Sequence, residues 1–573
     1  MCPSRPPEAA RTWPKTGHRT FAALALLASS VVGCDAERRA PSTGATGGTV
    51  IIAAPAEPRL LLPAASASAT EKQIIDQIFD YLAEIGPDLN TVGDAGWTPR
   101  LARAWRWSRD SLSIAFEVDP RARWHDARPV RAGDVRFSIE FFMDPKVNSI
   151  VRESFDNIDS VSVRDSLTAV VWFKRRTPEQ FFELAYNLLV IPEHLLKDAD
   201  RTQLETTEFA RRPIGSGPFR FVRWEPRSVV ELAADTSYYL GRPKLDRLLF
   251  LWHPDVPTAL NRVLAGDADF VEIVTPEALP QVAATPSVAA IPYRSINYTY
   301  LVFNPVLPRE PTRPHPLFAQ RELRVALTMA LDRRGMLENV LDSLGALSYG
   351  PFSLSYSTAD TTIPQFPYDR AAAARMLDSL GWRDANGDGA RERGGQPLRF
   401  TLLVPSSSAY RRKYAVLIQE QLRRVGVSVD IDEADPQSMG GRVMSGQYDA
   451  FLHTATSDPS PRALRQSWRS VDPKNREFNF AVYRNPEVDA LMDSAQTEFD
   501  PERSRAFYRR AYRMIVADAP VVFLYEVRQH AVAHRRVRTV LDRSDYWWRD
   551  IRHWSIPASE RIARDGPGIG TGK

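Results

Sequence analysis

Cysteine is scarce in this chain: two residues, Cys2 and Cys34, serve 573 positions, too few for a disulfide framework or a cysteine metal site. The nine histidines are scattered without pairing, and no Cys/His spacing of a zinc site occurs. H-E-x-x-H and G-x-S-x-G are absent, so neither a zincin nor a nucleophile-elbow hydrolase is announced. The terminal Gly566–Lys573 run has Pro567 where a phosphate loop needs its first glycine, and no Ser/Thr or helix follows. Long apolar runs are missing too. The longest, Phe21 to Val32, is about a dozen residues, against the roughly 20 needed to span a bilayer. Charge of either sign is not in excess, with 74 basic and 70 acidic residues. Residues 1–33 hold four of the bases and one acid, so the remainder is close to neutral and nucleic-acid binding is not indicated. No internal repeat is found.

What is present begins with the leader. Arg5, Arg11, Lys15 and Arg19 precede the Phe21–Val32 run, and a small residue, Gly33, follows it. A basic segment, a short apolar segment and a small residue describe a secretory signal peptide over residues 1–33. The ending Val31-Val32-Gly33-Cys34 resembles the lipobox of bacterial lipoproteins. That resemblance implies lipidation of Cys34 and an extracytoplasmic protein anchored to a membrane through its acyl chains. Residues 34–47 are small and polar and read as a flexible tether; 558–573 read as a disordered tail.

Between these ends strand and helix signals alternate. Thr49–Ala54 is a β-branched run; Thr70 and Gln73 suggest a capped helix carrying Ile74, Ile75, Ile78, Phe79 and Leu82 on one face. Tyr414, Leu417, Ile418, Leu422 and Val425 form a helical stripe. Gly426 ends it, and Val427, Val429 and Ile431 alternate as a strand. Phe507, Ala511, Met514 and Ile515 form another stripe leading into Val521–Tyr525. The alternation predicts an α/β fold with sheets covered by helices. Gly215 and Gly217 around Ser216 read as architectural, Asp384–Gly389 as a turn and not a calcium loop, since position 12 of such a loop would be Gly395. Arg411-Arg412-Lys413 reads as a solvated face.

Several ordered blocks are similar to the extracytoplasmic solute-binding proteins of family 5, the receptors of peptide-type ABC importers. They include Thr98-Pro99-Arg100-Leu101-Ala102, Trp124-His125-Asp126 with Ala132–Ser138, Pro213–Phe221, Tyr238–Asp246, Phe318–Arg333, Tyr368–Trp382, Asn485–Asp489 and Ala517–Val521. The resemblance implies a type II periplasmic-binding-protein clam-shell of two lobes with an extra inserted domain. The first lobe would be discontinuous (48–80, 199–295 and 505–557), the inserted domain 81–198 and the second lobe 296–504. It also implies a receptor that binds a peptide-like solute between the lobes and passes it to permease subunits, as a monomer, without cofactor or catalysis. A non-peptide solute, such as an oligosaccharide or metal chelate, or a sensory lipoprotein on the same fold, is the alternative.

Site residues follow from the resemblance. Peptide-binding members pair an acid in a W-x-x-DYPDP-like loop with the ligand's α-amino group. The matching stretch His453–Pro461 puts Ser457 at the acidic position, with Asp458 one residue away. Serine cannot supply a charge-assisted bond; Asp458 can after a small shift. Glu57 falls where peptide binders often carry an acid, or is a solvated loop charge. Tyr298 and Tyr300 either wall the pocket or belong to the hinge core. His453 is the histidine best placed for a ligand, or an ordinary hydrogen-bonded loop residue.

Overall fold

The computed structural model describes residues 46–66, 68–253, 255–455 and 459–566. The expected signal peptide, Cys34, Ser457 and Asp458 lie outside the described residues.

Thr49–Ala54 is a central strand because its β-branched residues are covered on both faces. It runs parallel to Arg247–Trp252 on one side and to Phe270–Val271 on the other. The full sheet has seven strands in the order Val288–Tyr293, Gln529–His534, Phe270–Val271, Thr49–Ala54, Arg247–Trp252, Val229–Ala234, Phe219–Glu225. Helix Ala69–Ile78 packs Ile74, Ile75 and Ile78 into the large core on one face; helix Val256–Ala265 covers the other. Its cap is Ser68, not Thr70: Ser68 accepts from the Glu71 N–H and Glu71 reaches back to the Ser68 N–H, a closed capping box.

A separate antiparallel sheet orders Ala102–Trp107, Ser113–Val118, Thr168–Phe173 and Ile158–Val163, backed by helix Ala132–Met143. Gly215 and Gly217 hold the junction with helix Ala69–Ile78. A Cβ on Gly215 would stand 1.9 Å from the Ile78 carbonyl oxygen, and the Gly217 N–H donates to that carbonyl at 2.8 Å. The glycines are there for close approach of backbones.

The second large sheet has six strands: Gly345–Leu347, Val521–Val527, Tyr298–Phe303, Ala450–Ala455, Arg399–Pro405, Ser428–Ala434. Alternation along Tyr298–Phe303 sends Leu301 and Phe303 into one core with helix Ala409–Arg423. Tyr298, Tyr300 and Val302 go into another with helices Pro486–Thr497 and Pro501–Asp518. Helix Ala409–Arg423, Gly426 at φ +79° and strand Ser428–Ala434 follow the sequence pattern.

Three expected boundaries move. Residues 505–527 belong with the second sheet, because Val521–Val527 pairs with Tyr298–Phe303 and helix Pro501–Asp518 packs beneath it. The chain returns to the first sheet only after Arg528. Residues 558–566 are not a disordered tail: Asp565 is buried, accepts the Thr49 N–H at 2.7 Å and pairs with Arg536 at 2.7 Å. Gly47, expected in the tether, is held instead: its N–H donates to the Lys244 carbonyl at 2.7 Å. At Asp384–Gly389 the Asp384 carboxylate accepts the N–H groups of Gly387 and Gly389, both glycines at positive φ, which is turn chemistry.

Candidate functional site: the carboxyl edges of two sheets

Strand directions locate the site. In the first sheet Thr49–Ala54, Arg247–Trp252, Phe270–Val271 and, through its antiparallel neighbour, Val288–Tyr293 all run one way. In the second, Arg399–Pro405, Ser428–Ala434 and Ala450–Ala455 are parallel, and Tyr298–Phe303 is antiparallel to them. The crossover 294–297 therefore leaves the carboxyl edge of one sheet and enters at the carboxyl edge of the other. The second crossover, Arg528, joins the same two edges in reverse. Open α/β sheets bind ligands beyond the carboxyl ends of their strands. Here two such edges are hinged to face each other.

Among the described residues, several side-chain contacts span the divide. Lys413 Nζ lies 3.0 Å from Glu277 Oε1. Ser460 Oγ donates to Glu179 Oε2 at 2.8 Å, while Thr91 Oγ1 donates to Glu179 Oε1 at 2.5 Å. Arg462 pairs with Glu183, and the Arg176 guanidinium sits 3.8 Å over the Phe499 ring. Ser154, Glu183, Asn187, Ser460, Arg462 and Gln466 line a groove of about 160 Å³ at this seam.

On the second-lobe wall, Tyr298 and Tyr300 are both buried, their rings stacked with centroids 5.5 Å apart. His453 pairs with Tyr300 across the strands and meets its ring edge-on at 5.2 Å. Burial, then the charge of Arg411, hold the imidazole down to about 3, so it is neutral at ordinary pH. Next to it Thr299 Oγ1 and Thr454 Oγ1 share a hydrogen bond of 2.9 Å. The tyrosines are packed in the core beneath the crossover strand, and His453 is half-buried beside them.

The first-lobe wall is acidic. Glu57 lies just past the carboxyl end of Thr49–Ala54, and its Oε1 accepts from Trp224 Nε1 at 3.2 Å and from the Arg227 N–H at 3.0 Å. It ties the strand end to a hairpin turn. Glu272, past the end of Phe270–Val271, is raised above the usual carboxylate range by burial and accepts from Gln73 Nε2 at 2.7 Å.

At the hinge is an acid that sequence reasoning missed. Glu526 is buried and pushed up to about 8 by desolvation, which outweighs its hydrogen bonds and the nearby Arg294 charge. Oε1 accepts the Leu354 N–H at 2.8 Å, and Oε2 lies 3.2 Å from Ser353 Oγ. Ser353 Oγ also reaches the Ser295 carbonyl at 3.1 Å. A hydroxyl has one proton, so a protonated Glu526 donating to Ser353, which donates to Ser295, satisfies the whole chain. The link joins both crossovers. Beforehand only a Glu directly after the Val521–Tyr525 run was visible, with Ser353 and Ser295 far away in the sequence.

A hinged pair of α/β lobes with polar groups along opposed carboxyl edges defines a solute-binding protein of the type II clam-shell class. The chain belongs to the bacterial extracellular solute-binding proteins of family 5, whose profile, described as the family's middle region, matches residues 96–476. It is 25% identical over 529 residues to the oligopeptide-binding protein AppA of Bacillus subtilis, covering 90% of this chain and 94% of AppA. Among solved structures, the ABC transporter substrate-binding protein CtaP of Listeria monocytogenes superposes with a TM-score of 0.77 at 22% identity, covering 89% of this chain and all of CtaP. NikZ of Campylobacter jejuni, solved with Ni(L-His), gives 0.71 at 23% identity over 88% of this chain and 99% of NikZ. The family is one of extracytoplasmic transport receptors, not of enzymes. No helix among the described residues is long and apolar enough to cross a membrane.

Proposed function

We propose that this chain is the lipid-anchored receptor of an ABC importer, closing its lobes on a peptide-like solute and handing it to a permease. The observation that carries the reading is the junction of two carboxyl edges by two short crossovers. Rotation about 294–297 and Arg528 opens and closes one polar cleft without disturbing either core. A solute that contacts both walls favours the closed state by its differential affinity, and no bond is made. The oligopeptide-binding relative supports the peptide class. The lobes on this reading are 48–80 with 199–295 and 528–566, and 296–527, with 81–198 inserted. His453 and the Ser457–Asp458 loop border the solute, Tyr298 and Tyr300 back it, and Glu57 shapes the strand end behind it. The lipobox-like ending supports anchoring through Cys34.

Native mass spectrometry of the full chain purified from its own host tests the solute. Heterogeneous short peptides support the reading; a single chelate or oligosaccharide replaces the substrate and keeps the receptor. Cys34→Ala is expected to abolish palmitate labelling and release the protein from membranes; retained labelling ends the anchoring proposal.

A further inference from the structure

The far end of the second lobe holds a cavity of about 600 Å³, walled by the hairpin 306–314, the end of helix Pro436–Met444 and the loop 473–477. Tyr298–Phe303 ends just before the hairpin, and Ala450–Ala455 begins shortly after the helix. The cavity is therefore at the amino edge of the parallel strands, opposite the cleft. Three cations line it, Arg309, Lys474 and Arg476. The one acid among the lining residues, Glu477, is taken up by Arg469 at 2.6 Å. Among the described residues none of the three cations is in an ion pair.

Arg476 stands apart from its kind. The other buried arginines among the described residues each face a carboxylate: Arg100 meets Asp80 and Glu84, Arg536 meets Asp269 and Asp565, Arg543 meets Glu84 and Asp545, and Arg549 meets Asp545. Arg476, 6% exposed, has neutral partners only. One of its Nη atoms donates to Tyr448 Oη at 3.1 Å, and its guanidinium lies over the Tyr448 ring, 5.8 Å from the centroid. It also packs on bare backbone at Gly446, φ +70°, where a Cβ would collide with it. Burying a cation without a counter-charge is costly. The C-terminus of helix Pro436–Met444 supplies about half a negative charge, too little for three cations. A phosphate ester or diphosphate brings two or more charges and several acceptor oxygens for a guanidinium fork. Met444, 55% exposed at the rim, offers apolar surface to the carbon part of such a molecule.

We propose that this pocket binds a phosphate-bearing small molecule, with Arg476 as the buried anchor and Arg309 and Lys474 as the outer pair. The site is separate from the solute cleft and does not rest on the peptide reading. A free phosphate ester and a phospholipid headgroup share this chemistry, and the test separates them. Calorimetry on the full chain uses two probes, inorganic pyrophosphate and a monomeric short-chain phosphatidylglycerol. Binding of either is expected, weakened roughly 10- to 100-fold in Arg476→Gln and at least as much when Arg309→Gln and Lys474→Gln are combined. Pyrophosphate binding with that pattern assigns a free phosphate compound; phosphatidylglycerol binding alone, with the same pattern, assigns a lipid headgroup. Binding of neither probe overturns the proposal. So does binding that the substitutions leave unchanged, since the anion then sits elsewhere. Should Arg476→Gln not fold, the exposed pair decides.

Discussion

At the carboxyl edge of the first sheet the charges are acidic and already engaged within their lobe, Glu57 by Trp224 and Arg227, Glu272 by Gln73. At the facing edge acids and bases are mixed: Glu433 and Asp435 close strand Ser428–Ala434, while Arg411, Arg412 and Lys413 open helix Ala409–Arg423. The two edges share a strand geometry and differ in how their polar groups are satisfied. Glu57 and Glu272 are served by neutral N–H donors of their own lobe, whereas Arg412 and Arg442 of the facing lobe meet the carboxylates of Glu433 and Asp432.

Three substitutions would break or sharpen that contrast. The largest effect belongs to the hinge between the walls. Glu526 is protonated in the folded chain up to about 8, against roughly 4.5 unfolded, so between those values the folded state holds more protons. Stability should therefore fall as pH rises through that window, by about 1.4 kcal/mol per pH unit at most, and level off above it. Glu526→Gln should remove this slope in denaturant titrations at a series of pH values; an unchanged slope would place the proton elsewhere. Next is Glu57→Ala, expected to cost about 1 kcal/mol of stability by releasing Trp224 and the Arg227 N–H while solute affinity stays put. A tenfold affinity loss would return Glu57 to the ligand. The smallest effect is that of Lys413→Ala. Its bridge to Glu277 joins side chains 53% and 50% exposed, so it should shift lobe closure, read by inter-lobe fluorescence transfer, by less than about 1 kcal/mol. A larger shift would make the bridge a latch.

Much of the fold was legible because its signals are local. The stripe ending at Gly426 and the strand after it each declare themselves within a dozen residues, and the ordered blocks carry the family. The second crossover was not legible. Residues 505–557 were expected in one lobe, and only pairing with Tyr298–Phe303 and Val288–Tyr293 shows that Val521–Val527 and Gln529–His534 lie in different sheets. The hinge acid escaped for the same reason, since Glu526, Ser353 and Ser295 meet across 173 and 58 positions. Arg411 looked like its neighbours until burial separated it from them. The tail misled in the other direction: its glycines suggested disorder, but Asp565 has specific partners far away in sequence.

Those partners form a knot at the edge of the first sheet opposite the cleft. Asp565 takes the Thr49 N–H, Arg536 reaches Asp565, Asp269 and the Thr49 carbonyl, and Asp269 also takes the Ile51 N–H. Mechanically, this is where the described chain both begins and ends. A pull on the polypeptide ahead of Thr49 is borne by ionic staples inside a single lobe, at the far end of the strand from the pivot. On the proposed anchored receptor, tension at that root would leave the torque balance of the two crossovers untouched.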